Sequence, residues 1–433
     1  MSSIDFVTDL PVELRPDPGR TVVRPYAPGA DPRAPGTTPE ARARRIAERI
    51  LAMDDASVAA EVERLLAEYS DRYGCISCVF MRRFHEVNGE LIRRCSPGPD
   101  RALLIGAYFC HEYAYEAAAL FNPSIVPHPD QSDMPSDTIR FVLSLRGVGE
   151  GHVSSVTFRT GTCRANGALA IDPPNPRSIV PRIEPLADGS PEEDGVRITC
   201  DESHDLSETV IFPVTAHQRN GIEDLRLLRF VEEDGSTVYY GTYTAYSGQA
   251  GRQELLETRD FRTFDLRPLR GDATTSKGLA LFPRRVDGRY AALGRQDNET
   301  LWFVQSDQID TWNGGVQVIV PKWPWEFTQM GNSGAPIEID EGWLVLTHGV
   351  GAMRNYGIGA CLLDRDDPSK LLARMREPLL RPAPGDHRGY VPNVIYSCGA
   401  MVHGRMLVLP YGVADSFATI ATVPLDRLLA AMT

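Results

Sequence analysis

The sequence predicts an all-β domain preceded by an α-helical extension. Three observations carry this. Apolar positions recur at helical spacing only up to about residue 120. Beyond it, apolar runs become short, β-branched or aromatic, and are broken by Gly, Asp and Pro. Hairpin signals then return at intervals of roughly fifty residues, the length of one four-stranded propeller blade.

Residues 1 to about 37 are rich in Pro and Gly and read as an arm on the surface. Thr38 is a suitable N-cap, Pro39 and Glu40 suit the first turn, and Ile46, Ile50 and Met53 form the stripe of a first helix. A second helix is expected from near Ser57, with Val58, Val62, Leu65, Leu66 and Tyr69 on one face and Gly74 as its stop. A third is expected over Arg101 to Leu120. Residues 1–120 thus form an arm and helical extension that packs on the main domain or joins two copies in a homo-oligomer.

Strands follow over 121–433. Clear examples are Thr138 to Leu145, Val238 to Thr244, Leu301 to Val304 and Gly342 to Thr347. The turns Glu233-Asp234-Gly235, Val286-Asp287-Gly288 and Asp340-Glu341-Gly342 connect them. The length suits five or six blades, and a sandwich joined to a barrel fits the same pattern.

Composition narrows the function. Lys+Arg number 45 and Asp+Glu 58, a balance of 45 − 58 = −13. So acidic a chain lacks the positive field that nucleic acid or an anionic membrane requires. The N-terminus has no basic and apolar leader pattern, and no stretch is long and apolar enough to span a bilayer, so a cytoplasmic protein is expected. Of eight cysteines, Cys75 and Cys78 form a lone C-x-x-C. With His85 and Cys95 it matches no common zinc spacing, so no metal is expected and the thiols should be reduced.

In a propeller, loops from every blade converge on the central axis, so polar residues at strand ends are the candidates for chemistry. They cluster in Phe121-Asn122-Pro123-Ser124, in Arg146 to Arg159 with Glu150 and His152, in Gly221-Ile222-Glu223-Asp224-Leu225-Arg226, and in Gly294-Arg295-Gln296-Asp297. Gly331-Asn332-Ser333-Gly334 with His348, and Val413-Ala414-Asp415, complete the set. Taken singly, each is what an ordinary turn or cap also provides.

Their order is more informative. Phe-Asn-Pro-Ser, Gly-Ile-Glu-Asp-Leu-Arg, Leu-Phe-Pro-Arg-Arg, Gly-Asn-Ser-Gly-Ala-Pro-Ile-Glu, Leu-Thr-His-Gly, Val-Pro-Asn-Val-Ile-Tyr and Gly-Val-Ala-Asp follow one another from about residue 121 to the end. This resembles glycoside hydrolase family 130, five-bladed propellers that include inverting β-mannoside phosphorylases and β-1,2-mannosidases. The resemblance implies that Asp224 is the general acid, relaying its proton through the mannose 3-hydroxyl. It implies that Asn122, Ser124, Arg146 and Asp415 hold the mannosyl unit. To stay protonated near neutral pH, Asp224 should be raised by burial or by Glu223 beside it. Glu150, His152, Arg159, Glu223, Arg295, Asn332, His348, Arg354 and Tyr356 complete the expected oligosaccharide-binding set.

Three positions depart from the family's phosphorylase pattern. Gln329 stands for a Lys, Gly294 for a His, and Gly357 for an Arg, leaving Arg295 and His348 to meet a phosphate. Each lost cation removes a charge-assisted hydrogen bond worth about 1.5–3 kcal/mol. The sequence therefore favours an inverting exo-β-mannosidase on β-1,2-mannooligosaccharides, with Asp297, Glu299 or Glu150 as general base and no cofactor. The alternatives are a phosphorylase, with inorganic phosphate as co-substrate and α-mannose 1-phosphate as product, and a non-catalytic carbohydrate-binding propeller.

Overall fold

The computed structural model describes residues 2–29, 38–89, 92, 95–186, 191–383 and 389–433. The chain forms two compact units: Gly19–Ala114 with Pro176–Val180, and Met1–Pro18 with Tyr115–Asn175 and Pro181–Thr433.

The smaller unit holds helices Pro39–Leu51, Asp55–Tyr73, Ile76–Val87 and Pro99–Tyr108. Thr38 caps the first as expected, its side chain accepting from the Ala41 N–H. Asp54 caps the second, accepting from the Ser57 N–H at 2.9 Å. Helix Ile76–Val87 was not expected, although Ile76, Val79, Phe80, Phe84 and Val87 are buried at helical spacing. Gly74 and Cys75 before it, and Cys78 in its first turn, obscure that stripe. The third expected helix is a correction. It stops at Tyr108, and Cys110–Ala114 pairs with Thr21–Pro25 as a two-stranded sheet. Reduced thiols are a second correction, since Cys75 and Cys78 are joined in a disulfide.

The larger unit is mostly β, with four hydrogen-bonded sheets among the described residues; the largest divides at a single parallel bridge, which leaves five antiparallel groups. The first is Ala119–Pro127, Thr138–Val148 and Ser154–Arg164. The second is Gly221–Val231, Thr237–Tyr246, Gly251–Thr258 and Thr263–Pro268. The third is Ala280–Leu281, Tyr290–Gly294, Leu301–Ser306 and Val316–Ile319. The fourth is built on Gly342–Val350 and Tyr356–Leu363, with Gln329–Asn332 leading into it. The fifth is Ile395–Tyr396, Met406–Val413 and Phe417–Pro424. The three expected turns all fall between consecutive strands.

Apolar side chains join the second group to the third, the third to the fourth, the fourth to the fifth and the fifth to the first. Phe230 and Tyr240 meet Leu281 and Trp312, and Phe282 and Phe303 meet Trp343 and Val345. Leu346 and Ile358 meet Leu409 and Val423, while Val408 and Ile420 meet Phe141 and Leu143, so the fifth group packs on the first. A parallel bridge between Ser154 and Gly221 joins the first to the second.

The expected surface arm is also corrected. Ser2–Ser3 pairs with Leu380–Arg381 in the fourth group, and Thr8–Asp9 pairs with Ala421 and Thr422 in the fifth. Leu10, Val12 and Leu14 alternate like strand residues and pack on the core between the fifth and first groups. Residues 30–37 of that arm lie outside the described residues.

Candidate active site

One cavity of about 450 Å³ draws side chains from all five groups. Asn122 and Asp224 lie at irregularities in the first strands of the first two groups, where the register shifts between Phe121 and Ser124 and between Glu223 and Arg226. Both are in the left-handed region, at φ 48° and 57°, as is Asp415 at φ 50° in the hairpin of the fifth group. Such bulges re-aim a side chain out of the alternating pattern, and residues with this backbone strain gather at functional sites. Arg146 comes from Thr138–Val148, Gln329 and His348 from the fourth group, and Arg354 and Tyr356 from its hairpin.

A dense polar network lines the floor. Asn122 Nδ2 donates to Asp224 Oδ1 at 2.7 Å, and Arg146 Nη1 to the same oxygen at 3.2 Å. Arg146 Nη2 reaches Glu223 Oε1 at 2.8 Å, and Lys277 Nζ reaches Glu223 Oε2 at 2.7 Å. The buried Arg226 donates to the Asp224 carbonyl at 3.3 Å and to the Tyr396 hydroxyl at 2.7 Å.

These contacts reverse the expected state of Asp224. Burial pushes its carboxyl up, but Arg146, Arg226, the Asn122 amide and Lys277 together outweigh that, so it lies below the usual carboxylate value. Glu223 is not the means of raising it, being held by Arg146 and Lys277. Asp415 behaves oppositely. Burial and the nearby Asp224 raise it to about 6, against the pull of Arg146 and Arg354.

Arg295, more than nine-tenths buried, lines the same cavity. Its Nη1 lies 3.3 Å from Nε2 of His348. His348 is held neutral, chiefly by burial and then by Arg295 and Arg226, so it accepts from Arg295 and supplies no positive charge. Burial also lowers Arg295. Two glycines make room for this side chain. A Cβ on Gly331 would lie 2.1 Å from Arg295 Cδ, and one on Gly278 would lie 2.8 Å from its Nε.

The cavity gathers Asn122, Arg146, Glu223, Asp224, Arg295, His348, Arg354, Tyr356 and Asp415. The other candidates do not line it. Asp297 accepts from the Glu299 and Thr300 N–H groups, the Thr300 hydroxyl and the Trp302 indole, a turn that holds it down at about 2. Glu299 is exposed in that turn. Neither faces the cavity as a general base would. Arg159 is buried in an ion pair with Glu116. Ser124 bonds the Leu227 backbone, stitching the first group to the second. Asn332 is buried one residue beyond Gly331. Glu150 and His152 lie on an exposed turn, where His152 stacks on Tyr390 at 5.8 Å.

Sequence reasoning missed Lys277 and Tyr396. Lys277 is one of only three lysines in the chain and stands one glycine before the Leu-Ala-Leu-Phe-Pro run, which was its available signal. Tyr396 lies in the Val-Ile-Tyr motif, but nothing local indicated its bond to Arg226.

The pattern of the family described as beta-1,4-mannooligosaccharide phosphorylase matches residues 192–433, more than half the chain. The chain belongs to glycoside hydrolase family 130. The matched span holds Asp224, Lys277, Arg295, His348 and Asp415, while Asn122 and Arg146 precede it. Among the relatives of this family 130 chain is a 1,2-beta-oligomannan phosphorylase of Thermoanaerobacter sp. strain X514. It is 31% identical over 228 residues, 52% of this chain and 75% of the relative. A beta-1,2-mannobiose phosphorylase of Listeria innocua is 32% identical over 234 residues, 52% of this chain and 62% of the relative. A solved structure from work on family 130 glycoside hydrolases that target beta-1,2 mannosidic linkages in Candida mannan has a TM-score of 0.50. It is 18% identical, with 72% of this chain and 86% of that one covered, a likeness of fold.

Proposed function

We propose that this chain is a β-mannoside phosphorylase acting on β-1,2-linked mannosides, with the five antiparallel groups as the blades of a propeller. The observation that carries the choice of nucleophile is Arg295. A guanidinium desolvated beside a neutral imidazole is costly unless an anion joins it. Arg354 lines the same cavity and adds positive charge, while Lys277 is paired with Glu223. The phosphorylase names of the relatives support the same reading.

Phosphate attacks the anomeric carbon from the face opposite the leaving oxygen, giving inversion and α-mannose 1-phosphate. Phosphate brings its own nucleophilic oxygen, so no carboxylate need act as base. Asp224 is the acid in this reading. Substrate hydroxyls that displace the Asn122 and Arg146 contacts let it take up a proton. Asp415, held protonated up to about pH 6, is a nearby source.

The test is β-1,2-mannobiose with and without phosphate. Mannose 1-phosphate formed in proportion to phosphate supports the proposal. Two free mannoses at a rate indifferent to phosphate would instead establish the hydrolase, the reading that Gln329, Gly294 and Gly357 favour.

A further inference from the structure

We infer that Cys75 and Cys78 form a thiol–disulfide exchange site for low-molecular-weight thiols of the glutathione class, with Cys75 as the attacking sulfur. This inference concerns the helical unit and stands apart from the mannoside reading.

The pair sits at the start of helix Ile76–Val87, with Cys75 at the N-cap and Cys78 in the first turn. The two are joined in a disulfide and both are exposed. The other cysteines, among the described residues, are unpaired, and four of them are buried. A bond closed over a separation of only three residues restricts the unfolded chain least, so fold stability gives little reason for it.

Local chemistry distinguishes the two sulfurs. Cys75 makes no side-chain cap in the oxidised state. On reduction its thiolate gains the positive end of the helix dipole, at the N-cap of Ile76–Val87. The Ser77 hydroxyl, 3.5 Å from Cys75 Sγ, can donate to the same sulfur. Both features favour the thiolate of Cys75 over that of Cys78.

The exchange balances. The Cys75 thiolate attacks one sulfur of an oxidised small disulfide, forming a mixed disulfide and releasing one thiolate. The Cys78 thiolate then attacks Cys75 Sγ, closing the internal bond and releasing the second. Two electrons pass to the small disulfide, and the two protein thiol protons go to the released thiolates. Excess small thiol drives the reverse.

The test equilibrates the full chain, at neutral pH, in buffers running from reduced to oxidised glutathione. Acid quenching, alkylation and trypsin release the peptide Tyr73–Arg82, which contains only these two cysteines. The expected result is reversible interconversion of dithiol and disulfide, with circular dichroism unchanged. A pair that stays open in excess oxidised glutathione, or closed in excess thiol until the protein is denatured, overturns the proposal. Cys78→Ser should trap glutathione on Cys75 about tenfold faster than Cys75→Ser traps it on Cys78. Equal rates overturn the assignment of Cys75. The half-buried Cys95 is the internal control.

Discussion

Replacing Arg295 by Met separates an anion-binding role from a structural one. The variant keeps most of the side-chain volume between Gly278 and Gly331 but removes the charge and its donors. If the guanidinium meets phosphate, its loss removes one charge-assisted hydrogen bond of about 1.5–3 kcal/mol. That corresponds to a rise of about 10- to 150-fold in KM for phosphate. If the mannosyl unit is held by Arg146 and Asp224 as proposed, the KM for the mannoside should change little. Stability should move the other way. Arg295 is desolvated, and its side-chain hydrogen bond is to neutral His348, so an apolar replacement should hold or raise Tm. The assay is initial-rate release of mannose 1-phosphate over a phosphate titration, with thermal unfolding of both proteins. An unchanged phosphate KM, or a fall in Tm of about 5 °C or more, would refute the reasoning.

Asp224→Asn should lower kcat by about 10²- to 10⁴-fold while α-mannose 1-phosphate binding, followed by calorimetry, is retained. Gly331→Ala should act like a weak Arg295 variant, raising phosphate KM because the new methyl displaces the guanidinium stem, with circular dichroism unchanged. Asp415 gives a pH signature. Its folded value of about 6 lies above that of an unfolded Asp, so the folded state binds the extra proton between about pH 4 and pH 6. Stability from this group is therefore greatest at low pH and declines as pH rises through that window. Asp415→Asn should abolish that component in Tm measured against pH, together with any limb near pH 6 in kcat/KM.

What the sequence revealed follows the range of the interactions. Strands such as Thr237–Tyr246 and Gly342–Val350, and the Asp-Gly turns between them, are written in local alternation and turn chemistry. So is the Thr38 cap. The end of the helix at Tyr108 was not legible, because Cys110–Ala114 is drawn into a sheet by Thr21–Pro25, far away in sequence. The site divides the same way. Asp224 was visible in its motif, but its charge state depends on Arg146 and Asn122 from another group. Asp297 looked like a cavity carboxylate because the turn that consumes both its oxygens is invisible to motif order. Lys277 lacked any motif of its own, and only the convergence of the groups gives it a place.

The pairing of Thr8–Asp9 with Ala421 and Thr422 bears on how the molecule is made. The Tyr411 hydroxyl donates to Asp9 across 402 positions of chain. Contacts this distant carry the largest loop-closure cost and form late. During synthesis, residues 8–14 emerge early and must wait for the fifth group before they can be buried. Until then Leu10, Val12 and Leu14 remain exposed on the nascent chain, as does the open edge of strand Phe417–Pro424 once it has been made. Completion of the β unit is thus a single late event, and that interval is when the polypeptide is most open to capture by chaperones or by other copies of itself.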